Sequence, residues 1–238
     1  MKIYKHILEK KEKNELIIAA LLDPDSSDIK NVKELIKIFE KSRIDFIFVG
    51  GSTTWESNFY EFVHEVKTHS SLPVIIFPGS SNQISEDADA ILFLSLVSGR
   101  NPEFLIGEQI KASPILKKID IEVIPTGYLL IDGGKTTTVE FISGTSPIPQ
   151  DKLEIAKTIA YAAELLGMKL IYLDSGSGAQ KSPDNKLIES VKNYINIPLI
   201  VGGGVRSVKE VEEKHRAGAD IIVVGSALED DPEFFLKN

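Results

Sequence analysis

The fold is decided by two similar stretches, Ile200-Val201-Gly202-Gly203-Gly204-Val205-Arg206-Ser207 and Ile221-Ile222-Val223-Val224-Gly225-Ser226-Ala227. Each is a short β-branched apolar run that ends in glycine and leads into a predicted helix. Glycines leave backbone N–H groups uncovered, and the first helical turn adds unpaired N–H groups and the positive end of the helix dipole. The two stretches therefore predict phosphate-binding turns after strands seven and eight of a (β/α)8 barrel.

The remaining chain repeats the same alternation of strand and helix. Apolar runs predict eight strands, over residues 16–22, 44–49, 73–77, 90–94, 121–126, 169–173, 197–201 and 220–224. Helical patterns between nearly all of them require a parallel sheet. Glycines at the ends of strands two, six, seven and eight favour closure, with an open doubly wound sheet as the alternative. We predict one (β/α)8 TIM barrel domain over residues 1–238.

Two segments depart from the repeat. Residues 81–87 are too few for a full helix, so the third helix is expected to be missing or very short. Residues 128–149 form a long insertion after strand five. Within it, Gly133-Gly134 stands between two β-prone runs, which predicts a small hairpin over residues 128–142.

Composition excludes several classes of function. The net charge is −8 without a block of basic residues, so nucleic acid binding is not expected. Cysteine is absent, which excludes disulfides, thiolate catalysis and cysteine-based metal centres. The N-terminus lacks the apolar core of a signal peptide, and no apolar run reaches the roughly 18 residues of a membrane span. We expect a cytoplasmic protein whose membrane contact, if any, is peripheral and made through a lipid substrate.

The predicted strand tips offer acids, hydroxyls and glycines but no histidine. Asp23-Pro24-Asp25 follows strand one. A carboxylate there suits Mg²⁺, which takes one or two protein oxygens and completes its shell with water and phosphate. The same residues suit an Asx turn or a helix cap. Of the two acids, Asp23 is the better ligand and Asp25 the better cap.

Two other tips carry groups that suit a ligand. Gly50-Gly51-Ser52-Thr53 can bring backbone and a hydroxyl close to a ligand, or can simply form a capped turn. The loop from Tyr172 to Gly178 contains two glycines that permit close backbone approach. It also carries Asp174, a candidate general base, and hydroxyls on Tyr172, Ser175 and Ser177. Arg206 could pair with phosphate, but an external helix salt bridge is the favoured role.

Six motifs stand in order along nearly the whole chain. They are Leu22-Asp23-Pro24-Asp25, Val49-Gly50-Gly51-Ser52, Phe93-Leu94-Ser95-Leu96 with Ser98-Gly99-Arg100-Asn101-Pro102, Tyr172-Leu173-Asp174-Ser175-Gly176-Ser177-Gly178-Ala179, Val201-Gly202-Gly203-Gly204-Val205-Arg206 and Val224-Gly225-Ser226. The ordered set resembles the geranylgeranylglyceryl phosphate synthase family, the (β/α)8 prenyltransferases that make the first ether bond of archaeal-type lipids. The third and fourth motifs resemble its second, longer-chain group.

The resemblance implies a reaction and a set of roles. A polyprenyl diphosphate, expected to be geranylgeranyl diphosphate, would be joined to the sn-3 hydroxyl of sn-glycerol 1-phosphate with release of diphosphate. Asp23 and Ser52 would hold Mg²⁺, and Asp174 and Tyr172 would form the catalytic centre. The acceptor would be bound by Tyr172, Leu173, Asp174, Ser175, Gly176, Ser177, Gly178, Gly203, Gly204, Gly225 and Ser226. The family also implies a homo-oligomer, a dimer or a hexamer.

The residue chemistry fits this reaction. Mg²⁺ can neutralise a diphosphate leaving group, bound phosphate can position the acceptor, and a carboxylate can take its proton. Asp174 stands where the family usually has glutamate, and Leu21 where the short bacterial branch has a phosphate-binding lysine. Candidates for the prenyl groove are Phe93, Leu94, Phe104, Tyr128 and Phe141. The alternatives are a sugar-phosphate isomerase or aldolase and a non-catalytic phosphate- or lipid-binding barrel.

Overall fold

The computed structural model describes residues 2–27, 29–51 and 58–236, within which eight strands form one sheet. The strands are β1 Ile17–Leu22, β2 Phe46–Val49, β3 Val74–Ile76, β4 Ala90–Leu96, β5 Glu122–Leu130, β6 Leu170–Asp174, β7 Leu199–Gly202 and β8 Ile221–Val224. Each pairs in parallel with the next, and β8 pairs with β1. The predicted closed barrel is confirmed, and the open sheet is excluded.

Helices follow most of the strands. They are α1 Ile3–Glu12, α2 Val32–Glu40, α3 Phe59–His69, α4 Glu108–Leu116, α5 Thr138–Ser143, α6 Leu153–Leu165, α7 Asn185–Lys192, α8 Val208–Arg216 and α9 Ser226–Asp230, with a 3-10 turn at Ile29–Asn31 and a π-helical turn at Glu103–Gly107. Residues 77–89, between β3 and β4, contain no helix, as predicted. Of the helices in the described ranges, none has both the length and the apolar character needed to cross a bilayer.

The segment after β5 is not the predicted hairpin. β5 continues to Leu130, and the backbone then turns at Gly134, whose N–H donates to Asp132 Oδ1 at 2.9 Å. The second β-prone run forms α5, which ends at Gly144 in the left-handed conformation (φ 59°). The hairpin prediction is wrong because the second run is helical. Gly144 ends that short helix, as glycine commonly does at a helix C-terminus.

Side chains alternate between the barrel interior and the layer beneath the helices. Phe46, Phe48, Tyr128 and Tyr172 belong to the interior cluster, which also includes Ile3 and Ile7 of α1. Helix α1 therefore closes the amino-terminal end of the barrel. Its first turn is held by Glu122, whose carboxylate accepts hydrogen bonds from the Ile3 and Tyr4 amides at 2.5 and 3.2 Å.

Three aspartates at strand starts connect neighbouring strands in the same way. Each of the three, Asp45, Asp89 and Asp220, comes immediately before an apolar strand. Their carboxylates accept the amides of Ile18, Val74 and Leu199 at 2.9, 2.7 and 2.8 Å. Each also pairs with a lysine on a nearby helix, namely Lys10, Lys67 and Lys192. These contacts set the register of β1 with β2, β3 with β4, and β7 with β8.

Removing one of these carboxylates should destabilise the barrel. We expect Asp220→Ala to lower the free energy of unfolding by about 2–3 kcal/mol, because a buried amide and a partly buried ammonium both lose their partner. Chemical denaturation measures this. The matched control is Glu213→Ala, which breaks an exposed pair with Lys209 (3.9 Å) and should cost less than about 0.5 kcal/mol. Equal losses in the two variants would contradict the role given to Asp220.

Candidate active site

A cavity opens at the carboxyl ends of the strands, where the strand tips and the loops that follow them meet. One half lies over β6, β7 and β8 and is lined by backbone and polar groups. The other half lies between β3, β4 and α4 and is lined by apolar side chains. Asp23, after β1, and Asp174, at the end of β6, both face this cavity.

The glycines after β7 leave two backbone amides free in the polar half. Gly203 and Gly204 have φ angles of 77° and 75°, which glycine adopts readily. A Cβ on Gly203 would lie 2.6 Å from Asp174 Oδ1, and a Cβ on Gly204 would lie 2.9 Å from the Ser182 amide nitrogen. Neither glycine N–H donates a hydrogen bond within the described residues. Both can therefore bind an anion.

The second predicted glycine turn meets the same cavity. Gly225 follows β8, and Ser226 begins α9. Both residues line the cavity together with Gly203 and Gly204. The structure thus brings the four residues of the predicted phosphate site to one place, and their binding role remains a prediction.

Arg206 lies on the cavity wall. Its Nη2 donates to the Ala179 carbonyl at 2.9 Å, and its backbone N–H donates to Glu210 Oε2 at 3.0 Å. The side chain forms no ion pair with any described residue, so the favoured external salt bridge is wrong. Arg206 instead connects the loop after β7 to the loop after β6.

Asp174 is a buried carboxylate, 6% exposed, at the base of the polar half. Tyr128 donates its hydroxyl to Oδ2 at 2.5 Å, and the Gly176 amide donates to Oδ1 at 3.0 Å. Burial raises the pKa of Asp174, and the two hydrogen bonds oppose that shift. A carboxyl that is oriented by two donors and has a raised pKa is suited to accept a proton.

Three aromatic rings surround Asp174 on the strand side. The Phe77, Tyr128 and Tyr172 ring centroids lie 5.1–6.2 Å apart. Burial, and then the negative charge of Asp174, raise the pKa of both tyrosines well above its usual value. Both hydroxyls therefore remain protonated and can donate hydrogen bonds.

The loop after β6 contributes fewer binding groups than predicted. Leu173 points into the layer beneath the helices, because it alternates with the inward Tyr172 and Asp174. Ser175 is 1% exposed, and its Oγ has no partner among the described residues. The Gly176 amide is already used by Asp174. For direct contact, the structure leaves Ser177 and Gly178, which line the cavity.

Asp23 faces the cavity from the opposite side. A Cβ on Gly51 would lie 2.3 Å from Asp23 Oδ2, so the carboxylate requires glycine beneath it. Oδ1 accepts the Asp25 amide at 3.0 Å, as in an Asx turn. Burial raises the pKa of Asp23 to about 6, and the charges of Asp25 and Glu229 add to the shift. Ser52, the other predicted metal ligand, lies outside the described residues.

The apolar half is bounded by Ile84, Ile91, Phe93, Phe104, Ala112 and Ile142. Phe93, Leu94, Phe104 and Tyr128, all groove candidates, line the cavity. Phe141 does not, and it is 78% exposed. Helix α5 turns Val139 and Ile142 toward the cavity instead, so the choice of Phe141 is wrong.

Sequence reasoning missed several features of the site. It did not identify Phe77 or Glu229, which accepts a hydrogen bond from Ser26 at 2.5 Å. It placed Tyr128 in the prenyl groove but missed its hydrogen bond to Asp174. A signal for Tyr128 was present, because a parallel register places Tyr128 opposite Tyr172 with both side chains inward. None of the four histidines lines the cavity within the described part of the chain, in agreement with the predicted absence of histidine at the strand tips.

The chain is similar in sequence and in structure to known proteins. The PcrB family model matches residues 7–238. The geranylgeranylglyceryl phosphate synthase of Chitinophaga pinensis is 46% identical over 96% of this chain and 90% of its own. That of Pyrococcus horikoshii is 42% identical over 96% and 89%. A crystal structure of (S)-3-O-geranylgeranylglyceryl phosphate synthase from Thermoplasma acidophilum, in complex with substrate sn-glycerol-1-phosphate, superimposes with a TM-score of 0.93 at 35% identity, covering 99% and 95% of the two chains.

These matches span nearly the whole chain and most of each relative, and they agree with the motifs and the barrel. They confirm the resemblance stated from the sequence: the chain belongs to the PcrB family, whose relatives include the geranylgeranylglyceryl phosphate synthases.

Proposed function

We propose that the protein is a prenyltransferase that joins a polyprenyl diphosphate, expected to be geranylgeranyl diphosphate, to the sn-3 hydroxyl of sn-glycerol 1-phosphate. The observation that carries the proposal is the lining of a single cavity, which combines free glycine amides, the buried Asp174, the acid Asp23 and an apolar half. The amides suit the phosphate of the acceptor, Asp174 suits the role of base, Asp23 suits a metal-bound diphosphate, and the apolar half suits a lipid tail. The bound substrate of the Thermoplasma acidophilum relative supports the choice of acceptor.

The acceptor is placed by its phosphate. The amides of Gly203 and Gly204, with Gly225 and Ser226, hold the phosphate, and the sn-3 hydroxyl points toward Asp174. The hydroxyl oxygen then bonds to C1 of the prenyl group as the bond from C1 to the diphosphate oxygen breaks. The proton passes to the Asp174 carboxylate. The bond from Tyr128 fixes that carboxylate, although its side chain is shorter than the family's usual glutamate.

The residues around Asp23 fit a magnesium ion. Among the described residues, no group of three metal-binding side chains is present, but Mg²⁺ typically takes one or two protein carboxylates together with water and phosphate. Asp23 is half-buried, and no described cation pairs with it. A bound Mg²⁺ would neutralise the departing diphosphate. Ser52 is proposed as a second ligand.

The prenyl chain is proposed to occupy the apolar half of the cavity. The π-helical turn before α4 brings Phe104 to the cavity, and Gln109 Nε2 donates to the Leu94 and Phe104 carbonyls. The Leu94 and Phe104 carbonyls are thereby paired, which favours an apolar occupant of this half. Peripheral membrane contact through the lipid, a homo-oligomeric state (a dimer or a hexamer) and a cytoplasmic location remain proposals.

An aldolase that forms a Schiff base is less well supported. Such an enzyme needs a lysine in the cavity. No lysine lines the cavity in the part of the chain that the structure describes. The phosphate site alone would serve either enzyme, so the acids and the apolar half decide between them.

A direct assay tests the function. Purified protein with radiolabelled sn-glycerol 1-phosphate, geranylgeranyl diphosphate and Mg²⁺ should form a product that extracts into organic solvent, because the ether bond attaches the label to a lipid. Prenyl diphosphates of other lengths are tested in parallel. If no length gives an extractable product, the prenyltransferase proposal is wrong, and a non-catalytic barrel becomes the better description.

Asp174→Asn should lower kcat by roughly 10²–10⁴-fold, because the base is lost. Tyr128→Phe should lower it less, since the carboxylate remains but loses one orienting bond. The control Asp151→Asn changes an exposed carboxylate that pairs with Lys152 at 3.4 Å, and it should leave kcat unchanged. Turnover in the wild type should fall as the pH drops through the raised pKa of Asp174, and wild-type turnover in Asp174→Asn would refute the assignment.

Mg²⁺ activation should depend on pH through Asp23. Its pKa is about 6, so protonation should weaken Mg²⁺ activation as the pH falls below that value. We expect Asp23→Asn to abolish turnover at every pH while the circular dichroism spectrum and thermal unfolding stay unchanged. Titration of activity with Mg²⁺ from pH 5 to 8 measures the effect. Full Mg²⁺-dependent activity in the folded variant would exclude Asp23 as a ligand.

A further inference from the structure

Lys135 lies in the segment after β5, outside the cavity lining but beside Gly178, which belongs to that lining. We call residues 131–148, between the two residues of the Ile131–Ile148 bridge, the capping segment. The Lys135 ammonium Nζ lies 3.4 Å from the position that a Cβ on Gly178 would occupy. Gly178 is one of three residues of the β6 loop that line the cavity, with Ser177 and Ala179. In the described ranges Lys135 has neither a hydrogen bond nor an ion pair, so its charge is available to a ligand.

The backbone that carries Lys135 is fixed to the β6 loop. The Gly133 carbonyl accepts the Gln180 and Lys181 amides at 2.9 and 3.1 Å. Gln150 Nε2 donates to the Asp132 carbonyl at 2.7 Å. After Lys135, Thr137 packs so closely on Gly176 that a Cβ there would lie 2.8 Å from the threonine hydroxyl. The position of Lys135 is therefore determined on both sides along the chain.

A phosphate in this cavity needs a positive charge. The protein has a net charge of −8, and Asp23, Asp174 and Glu229 all line the cavity. Backbone amides supply only partial charges. Arg206 lines the cavity, but one of its nitrogens is already bonded to the Ala179 carbonyl. An ammonium beside Gly178 would add a full charge at the edge of the same half of the cavity, and charge-assisted hydrogen bonds are the stronger ones.

We propose that Lys135 binds the phosphate of the acceptor from above, opposite the amides of Gly203 and Gly204. It is a positioning residue that helps to hold the acceptor with its hydroxyl toward Asp174. The capping segment then serves both substrates, because it offers Lys135 to the phosphate and Val139 and Ile142 to the prenyl chain. The inference rests on the proposed function for the identity of the acceptor, but not for the binding of phosphate itself.

Isothermal titration calorimetry tests the proposal without turnover. Wild type, Lys135→Met, Lys135→Arg and the control Lys169→Met are titrated with sn-glycerol 1-phosphate and, separately, with inorganic phosphate. Lys169 is exposed and precedes β6 at the opposite end of the barrel. We expect Lys135→Met to weaken both ligands about tenfold, or about 1.4 kcal/mol. Lys135→Arg and Lys169→Met should bind within about threefold of wild type.

Salt dependence separates charge from structure. The wild-type Kd should rise with ionic strength, and this rise should be smaller in Lys135→Met, because screening then acts on one fewer cation. The KM for the prenyl diphosphate should not change. Unchanged binding of both anions by folded Lys135→Met would overturn the proposal even if the enzyme is active. If the wild type is inactive but Lys135→Met still binds phosphate more weakly than the wild type does, the role of Lys135 is supported and the prenyltransferase function is refuted.

Discussion

Closure of the parallel sheet is the constraint on which everything else depends. The ladder between β1 and β8 makes all eight strands point the same way around one axis. Groups from residues 23, 51, 174, 203 and 225, distant in the chain, therefore meet at one end. Without closure, Asp23 and Asp174 would lie at separate sheet positions. The Asp45, Asp89 and Asp220 contacts stabilise that closure at the opposite end of the strands, which separates stability from chemistry.

An acidic protein repels the anionic substrates proposed for this cavity. Its overall field opposes them, so attraction must come from local groups. In the proposed function, free amides bind the acceptor phosphate, and Asp23 binds the diphosphate indirectly, through Mg²⁺. This proposal places the acceptor phosphate over β7 and β8 and the diphosphate beside Asp23, after the neighbouring strand β1. Asp174 ends β6, which pairs with β7, and it is buried and bonded to Tyr128; there it is proposed to take the proton of the acceptor hydroxyl.

Much of the fold could be read from the sequence, because strands buried on both faces appear as continuous apolar runs. The glycine turns were equally visible, because glycines directly follow the apolar runs of β7 and β8. Gly133-Gly134 misled because the turn was recognised while the helix stop at Gly144 was not. Leu173 and Ser175 were included because a motif names consecutive residues, whereas a strand presents alternate ones. The bond between Tyr128 and Asp174 joins residues 46 positions apart, so only the register of β5 with β6 reveals it.

The proposed reaction requires that the acceptor lies between the glycine amides and Asp174, with the diphosphate at Asp23. A crystal structure with sn-glycerol 1-phosphate, Mg²⁺ and an unreactive thiodiphosphate analogue of the prenyl substrate tests it most directly. We expect phosphate on the Gly203 and Gly204 amides, an acceptor hydroxyl roughly 2.6–3.2 Å from the Asp174 carboxylate, and the diphosphate beside Asp23. A glycerol phosphate bound at Asp23, or a hydroxyl turned away from Asp174, would contradict it.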